Sequence, residues 1–397
     1  MLIANVKICD VDGERAGDVR IENGKIVEIG TGLSDTEVLD AKGACLLPSL
    51  VDTNIRVQDS VLNAKNIKAL WNEALLGGVG HIVLNADTNP AIDNAVVLEF
   101  AQNGISSLKG AKVDLMLNAL KDDLTLSDIA ILLKRGAVAP YMSTIAKNDV
   151  AIKVAEYVKM YGITLYCKPE DNSLISSGVM LDGDVSSKLG IAGISYLSEV
   201  LHVSRMIEIA RHFQIKILFK SIASPRSVEL INKAKKEGVG VSCEVSIHHL
   251  VNSDEACEGF NTVAKLDPPL SCYEDMQELQ KMLQEGKIDL LTTLHQPSSP
   301  VNKEVAFYDA AYGCSALNVA LPLYYTKLVK SGLISMSELL RLTVQNSAKS
   351  MGKTAGKIAV GEDAKLVLFD MEGITEVNDA LSLYNKENLS GKVVKTF

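Results

Sequence analysis

Eight short apolar segments recur along the middle of this chain, at 49–55, 81–86, 113–118, 137–142, 163–168, 216–222, 241–247 and 288–294. A strand that is apolar on both faces has to be covered on both, which is the condition of a parallel sheet wrapped in helices. The stretches between the segments carry helical spacing: "NAKNIKALWNEALLGG", "LTLSDIAILLKRG", "VAIKVAEYVKMYG", "SPRSVELINKAKKEG" and "CYEDMQELQKMLQEG". Each ends on glycine, the residue that most readily takes the left-handed turn closing a helix. A long helical stretch over 309–350 follows the last segment. Eight strand–helix units predict an α/β fold of the (β/α)8 TIM-barrel type. The competing arrangement, a doubly wound open sheet, finds no Gly-x-Gly-x-x-Gly or Walker sequence to support nucleotide binding.

The two ends are different in style. "VKICDVDGERAGDVRIENGKIVEIG" has short alternating runs broken by Asp-Gly and Asn-Gly, the signature of hairpins, and "GKIAVGEDAKLVLFD" and "GKVVKTF" return to it. This predicts a small β-sandwich domain assembled from 1–47 and 355–397, with the barrel over 48–354. A net charge of -9 and a pI near 5.3 argue against nucleic acid and anionic membrane as partners. No apolar run approaches the ~18 residues of a membrane span, and "MLIANVKICDVDG" meets charge too early for a signal peptide. The cysteines (Cys9, Cys45, Cys167, Cys243, Cys257, Cys272, Cys314) are odd in number and form no Cys-x-x-Cys pair. That is the pattern of reduced thiols in a cytoplasmic protein.

In such barrels the chemistry sits at the C-terminal ends of the strands. In "LPSLVDTNIRVQD" Asn54 and Arg56 are two apart and share one side of an extended strand. The other ends bring Asn85 and Asp87, Met142, Tyr166 and Lys168, Lys220 and Ser221, Glu244 with His248 and His249, and Leu294 with His295. A buried guanidinium requires a carboxylate, and by strand position Asp87 and Glu244 are the candidates for Arg56. Adjacent His248 and His249 point to opposite sides of an extended strand, which favours structural roles over ligation. Arg56, Asp87, Lys168, Lys220, Glu244, His248 and His295 together define a candidate ligand pocket. Within it Arg56, Lys168 and Lys220 make an anion site or, in the plainer reading, the lysines are solvated at the rim. Cys167 reads as core, and Ser221 and Tyr166 have no base beside them to serve as nucleophiles.

Several ordered segments resemble the dihydroorotases of the amidohydrolase superfamily, over nearly the whole chain. "LPSLVDTNIRV" resembles the family's Pro-Gly-hydrophobic-hydrophobic-Asp-x-His-x-His-x-Arg strand, "DTNP" its Pro-Asn-Thr-Asn-Pro loop, and "TTLHQPSSP" its Thr-Asp-His-Ala-Pro-His segment. "SVELINKAKKEGVGVSCEVSIHHL", "NTVAKLDPPLS", "AYGCSALNVALPL" and "GKIAVGEDAKLVLFD" are close to further family segments. The resemblance implies the barrel with its two-ended β domain, and a reaction of pyrimidine biosynthesis in which carbamoyl aspartate closes reversibly to dihydroorotate with loss of water. In the family, zinc polarises the carbonyl and holds the hydroxide, and an aspartate after the eighth strand shuttles the proton.

At the chemical positions the sequence departs from that pattern. The first-strand histidines are Asn54 and Arg56, the substrate-binding arginine is Gln58, and the loop asparagine is Asp87. The bridging residue of the fourth strand falls at Met142 or Ser143, the fifth-strand histidine at Tyr166 and the sixth-strand histidine at Ser221. The asparagine before Pro-Pro is Asp267, and the catalytic aspartate is Leu294. An alkyl side chain neither moves a proton nor binds a metal. A guanidinium stays protonated, and its repulsion of a dication at ~4 Å is on the order of 8 kcal/mol at an effective dielectric of 20. The expectation is a catalytically inactive chain with no metal site and no cofactor. For such a chain the resemblance implies a structural or regulatory partner of aspartate carbamoyltransferase, because some bacteria pair an inactive dihydroorotase-like chain with that enzyme. A homo-oligomer is the other assembly left open. The alternative is an active dihydroorotase or related cyclic amide hydrolase, working without the usual metal or with zinc held by Asp87, Glu244, His248 and His295.

Overall fold

Leu50–Ile55 and Val79–Leu84 are buried at every position and pair in parallel, as a sheet covered on both faces demands. In the computed structural model, which describes residues 1–397, they are the first two of eight parallel strands. Lys112–Leu115 pairs with the second strand; after a break at Met116, Leu117–Asn118 pairs with the fourth, Pro140–Met142. Thr164–Cys167, Lys216–Phe219, Val241–Ser246 and Leu290–Thr292 follow in order. The ring closes between the eighth strand and the first. There the Arg56 N–H donates to the His295 carbonyl at 2.9 Å. Asp52 accepts from Thr292 Oγ1 at 2.6 Å, the Thr293 N–H at 2.8 Å and Thr293 Oγ1 at 2.7 Å. This closure makes the fold the expected (β/α)8 barrel and excludes the open sheet.

The helices follow local signals. Ala64–Leu76 starts where the Asn63 side chain accepts from the Asn66 N–H at 2.8 Å, and it buries Ile67, Leu70 and Ala74 at three- and four-residue spacing. It stops at Gly77, where any Cβ would collide with the Leu317 carbonyl oxygen. Pro225–Lys236 opens with a proline in its first turn and closes with three lysines, both suited to their ends of the helix. Leu197–Phe213 buries Ser198, Glu199 and His202 beside its apolar residues, so its inward stripe is mixed and spacing alone does not single it out. The expected long helical stretch over 309–350 is shorter than its bounds and is interrupted. Its first helical turn is Leu317–Val319, the chain breaks at Gly332 (φ +81), and it resumes at Met336 under a Ser335–Glu338 capping box.

Strands from both termini share one sheet. Leu2–Asp10, Gly13–Glu22, Lys25–Gly30 and Cys45–Pro48 join Leu366–Glu376 and Asn388–Thr396 in one hydrogen-bonded path, with Val38–Asp40 off it, paired to Leu2–Asp10. Ile3, Ile8, Val19, Leu46, Leu366 and Leu368 give it an apolar core of its own. Cys45–Pro48 leads through Ser49 into the first barrel strand, whose far end carries Asn54 and Arg56. All seven cysteines are free thiols. No helix is long and apolar enough to cross a membrane.

Candidate functional site

At the C-terminal crown of the barrel Arg56 is 5% exposed and reaches Asp87 Oδ2 through Nε at 3.0 Å and Nη2 at 2.7 Å. Nη2 also donates to the Tyr141 hydroxyl at 3.2 Å. Burial pulls the guanidinium pKa down, but Asp87 more than restores it and holds it above its ordinary value. Of the two candidate carboxylates, Asp87 is therefore the partner of Arg56. Glu244, fully buried, serves others: Oε1 accepts from Asn54 Nδ2 at 2.6 Å and Oε2 from Thr53 Oγ1 at 2.8 Å. Burial raises its pKa, and Lys220 opposes that rise.

Lys220 is 1% exposed, and its Nζ donates to the Thr53 carbonyl at 2.6 Å and to Asn85 Oδ1. The rings of Tyr141 and Tyr166 flank it with centroids at 5.0 and 5.6 Å. Burial lowers its pKa to about 8, with Glu244 resisting. Lys168 lies 2.6 Å from both Asp267 Oδ2 and Glu170 Oε2. Burial again pulls its pKa down, and the two carboxylates outweigh it. These contacts correct two expectations. Neither lysine is solvated at the rim, and the three cations form no free anion site, because each already faces its own acceptors.

The histidines are structural donors and acceptors. His248 and His249 lie on a single helical turn, Ile247–Val251, and not on an extended strand. His248 Nδ1 is 2.8 Å from the Tyr384 hydroxyl, with Nε2 3.3 Å from Cys314 Sγ. His249 Nδ1 meets Ser246 Oγ at 2.7 Å, and its Nε2 faces the Pro268 and Pro269 carbonyls. Burial pushes the two pKa values down to about 3 and about 4, so both rings are neutral. His295 Nδ1 accepts from the Ala316 and Leu317 N–H groups at 3.2 Å, which leaves the proton on Nε2, 2.9 Å from Glu73 Oε2.

The remaining aligned positions scatter. The Tyr166 hydroxyl bonds Ser350 Oγ at 2.7 Å, and Ser350 borders the starts of the strands, away from the crown. Met142 is buried at the end of its strand, and Gln58 sits on the turn Gln58–Ser60 beyond the first. Ser221 (φ +51) and Leu294 (φ +47) are buried, left-handed residues at the ends of the sixth and eighth strands. Non-glycine residues tolerate that region poorly, so these ends are strained. Asn54, Arg56, Met142, Tyr166, Ser221 and Leu294 offer an amide, a guanidinium, a thioether, a phenol, a hydroxyl and an alkyl group. No three His, Cys, Asp or Glu side chains converge on any point, so Asp87, Glu244, His248 and His295 are not brought together. The residues present do not fit a divalent ion. Beside the crown opens a small cavity bordered by Lys168, Glu170, Glu199, Ser221, Pro268 and Ser271. Glu199 accepts there from the Ala223 and Ser224 N–H groups, and burial raises its pKa to about 7.

Sequence reasoning missed Asp52, Thr53, Tyr141 and Glu170. Thr53 has the opposite parity from Asn54 and Arg56, yet its hydroxyl reaches Glu244, because pairing with the second strand slips between Asp52 and Ile55. Asp52 was legible as the polar residue two before Asn54 on the same side. Tyr141 and Glu170 carry no local signal.

The amidohydrolase family model matches residues 125–397. A dihydroorotase of Elusimicrobium minutum is 34% identical over 415 residues, covering 100% of this chain and 95% of that protein. A dihydroorotase-like protein of Pseudomonas aeruginosa is 30% identical over 384 residues, covering 94% of this chain and 89% of that one. In fold, the L-hydantoinase (dihydropyrimidinase) of Arthrobacter aurescens superposes with a TM-score of 0.88 at 22% identity, covering 100% of this chain and 94% of that chain. Likeness over full length in sequence, joined to the two-ended sheet and closed barrel, means that this chain belongs to the amidohydrolase family, in its dihydroorotase branch.

Proposed function

We propose that this dihydroorotase-like chain is catalytically inactive and metal-free, and acts as a structural or regulatory partner of aspartate carbamoyltransferase. The observation that carries this reading is Leu294. It is 2% exposed, sealed at the end of the eighth strand where the family's proton-transferring aspartate falls. Around it Arg56 is fixed on Asp87 and Lys168 on Glu170 and Asp267, so these groups are held in ion pairs and not poised to take up or release a proton in ring closure. The shape of the family is kept while its reactive groups are not, as expected where a partner still needs the surface.

The test has two arms. Purified chain is assayed for dihydroorotate hydrolysis and for bound zinc; turnover at background and no stoichiometric metal are expected. The carbamoyltransferase of the same organism is then isolated with and without this chain; co-purification and loss of transferase activity on its removal are expected. Clear turnover would overturn the inactive reading, and an unchanged transferase would overturn the partner role. The cavity beside Ser221 favours one rival, a cyclic amide hydrolase with an altered site, and the first arm decides against it or for it.

A further inference from the structure

The crown contains a closed circuit of hydrogen bonds that the partner role does not require. Lys220 Nζ donates to Asn85 Oδ1, Asn85 Nδ2 donates to Asn54 Oδ1 at 2.8 Å, and Asn54 Nδ2 donates to Glu244 Oε1 at 2.6 Å. A second path returns. Thr53 Oγ1 donates to Glu244 Oε2 at 2.8 Å, and the Thr53 carbonyl accepts from Lys220 Nζ at 2.6 Å. All five residues are at most 1% exposed. Along the asparagine path every donor points from the ammonium toward the carboxylate, so both amide dipoles lie along the field between the two charges. The circuit ties the first, second, sixth and seventh strands at the crown, where Asn54 also donates to Ser221 Oγ at 2.6 Å.

We infer that Lys220 is a built-in cation, linked through Asn54 and Asn85 to Glu244, that cross-links the strand ends in place of a metal ion. An ammonium brings three directed donors on a tether and cannot dissociate. One carboxylate balances its single charge, whereas a dication would need several anionic ligands on one point, and the crown's carboxylates do not converge in that way. A metal entering beside it would also meet Lys220 and Arg56 as like charges. The crown is thus complete without a cofactor. This holds whether or not the transferase proves to be the partner.

Thermal unfolding of the full chain tests it, using the wild type, Lys220→Met, Glu244→Gln and the double variant, each with EDTA and with added zinc. Each single substitution leaves one buried charge without its counterpart and is expected to lower Tm by on the order of 5 °C or more. The double variant removes both charges and is expected to lose less than either single variant. EDTA and stoichiometric zinc are expected to leave the wild-type Tm unchanged. If Lys220→Met does not fold, a double variant that does fold carries the same conclusion. Additive losses, a double variant that fails to fold, or a wild-type Tm that rises with one equivalent of zinc and falls with EDTA would each overturn the inference.

Discussion

The two ends of the barrel each gather charges around a carboxylate, and they differ in what water does there. At the strand starts Asp114 Oδ2 meets His81 Nε2 at 2.9 Å, Lys112 Nζ at 2.9 Å and Lys353 Nζ at 2.7 Å. Burial opposes ionisation, yet these partners hold the Asp114 pKa well below the usual carboxylate range. The lysines, however, are 41% and 39% exposed, and solvent can replace either one. At the crown, Glu244 and Lys220 are sealed, and Asp52 is 3% exposed. The ingredients are alike, but a lost partner at the crown leaves a bare charge or dipole in a dry interior, while at the floor it admits water.

The largest way to probe this contrast is acid. His248 and His249 at the crown and His202 beside it have folded pKa values near 3, 4 and 4, with burial as the leading cause in each, against 6.5 in the unfolded chain. Between pH 6.5 and about 4 the unfolded chain takes up protons that the folded chain refuses. Stability present above pH 6.5 is therefore lost as pH falls, by up to about 1.4 kcal/mol per pH unit for each histidine. Buried carboxyls with raised pKa values, Glu199 to about 7, Asp254 to about 6 and Glu244 in the same direction, work in the opposite sense, losing stability as pH rises, and offset part of this slope. Urea unfolding at several pH values should show a steep fall below pH 6.5; a flat profile would mean that the crown takes in water.

Next in size is Asp52→Ala, which removes the acceptor for Thr292 Oγ1, Thr293 N–H and Oγ1, and the Asn54 N–H. Those groups stay buried, so a loss of about 3–5 kcal/mol in denaturant unfolding is expected. The smallest effect belongs to the floor. Lys353→Met leaves His81 and Lys112 on Asp114 and should change stability by less than about 1 kcal/mol in the same measurement. Equal effects of these two substitutions would break the contrast between the ends.

Much of the fold was readable from periodicity. Val79–Leu84 announces itself by a short, mostly apolar run, Leu50–Ile55 by apolar residues bracketing Asp52, Thr53 and Asn54, and Ala64–Leu76 by a capping asparagine, an inward stripe and a stop at glycine. Where polar residues enter the inward face, as Glu199 and His202 do, that signal fades. The stretch at 309–316 has helical composition but loops back, with Gly313 (φ +94) lying so close to Gln296 that a side chain there would collide with it. The strand ends were readable as a set of residues delivered to one place. Their pairings were not, and Lys220 was misplaced at the rim because a lysine usually reaches water.

The sequence by itself determined a barrel of eight parallel strands, a sheet built from both termini, and a crown whose family ligand positions carry Asn54, Arg56, Ser221 and Leu294. Only the tertiary structure decided that Arg56 takes Asp87, that Lys168 takes Glu170 and Asp267, and that Lys220 is enclosed with Glu244. The physical reason is distance along the chain. Lys220 and Asn85 are 135 positions apart, and Asn54 and Glu244 are 190 apart, yet they touch across the ring. Local periodicity fixes which way a side chain points, whereas the partner of a buried charge is chosen by the closure of the barrel.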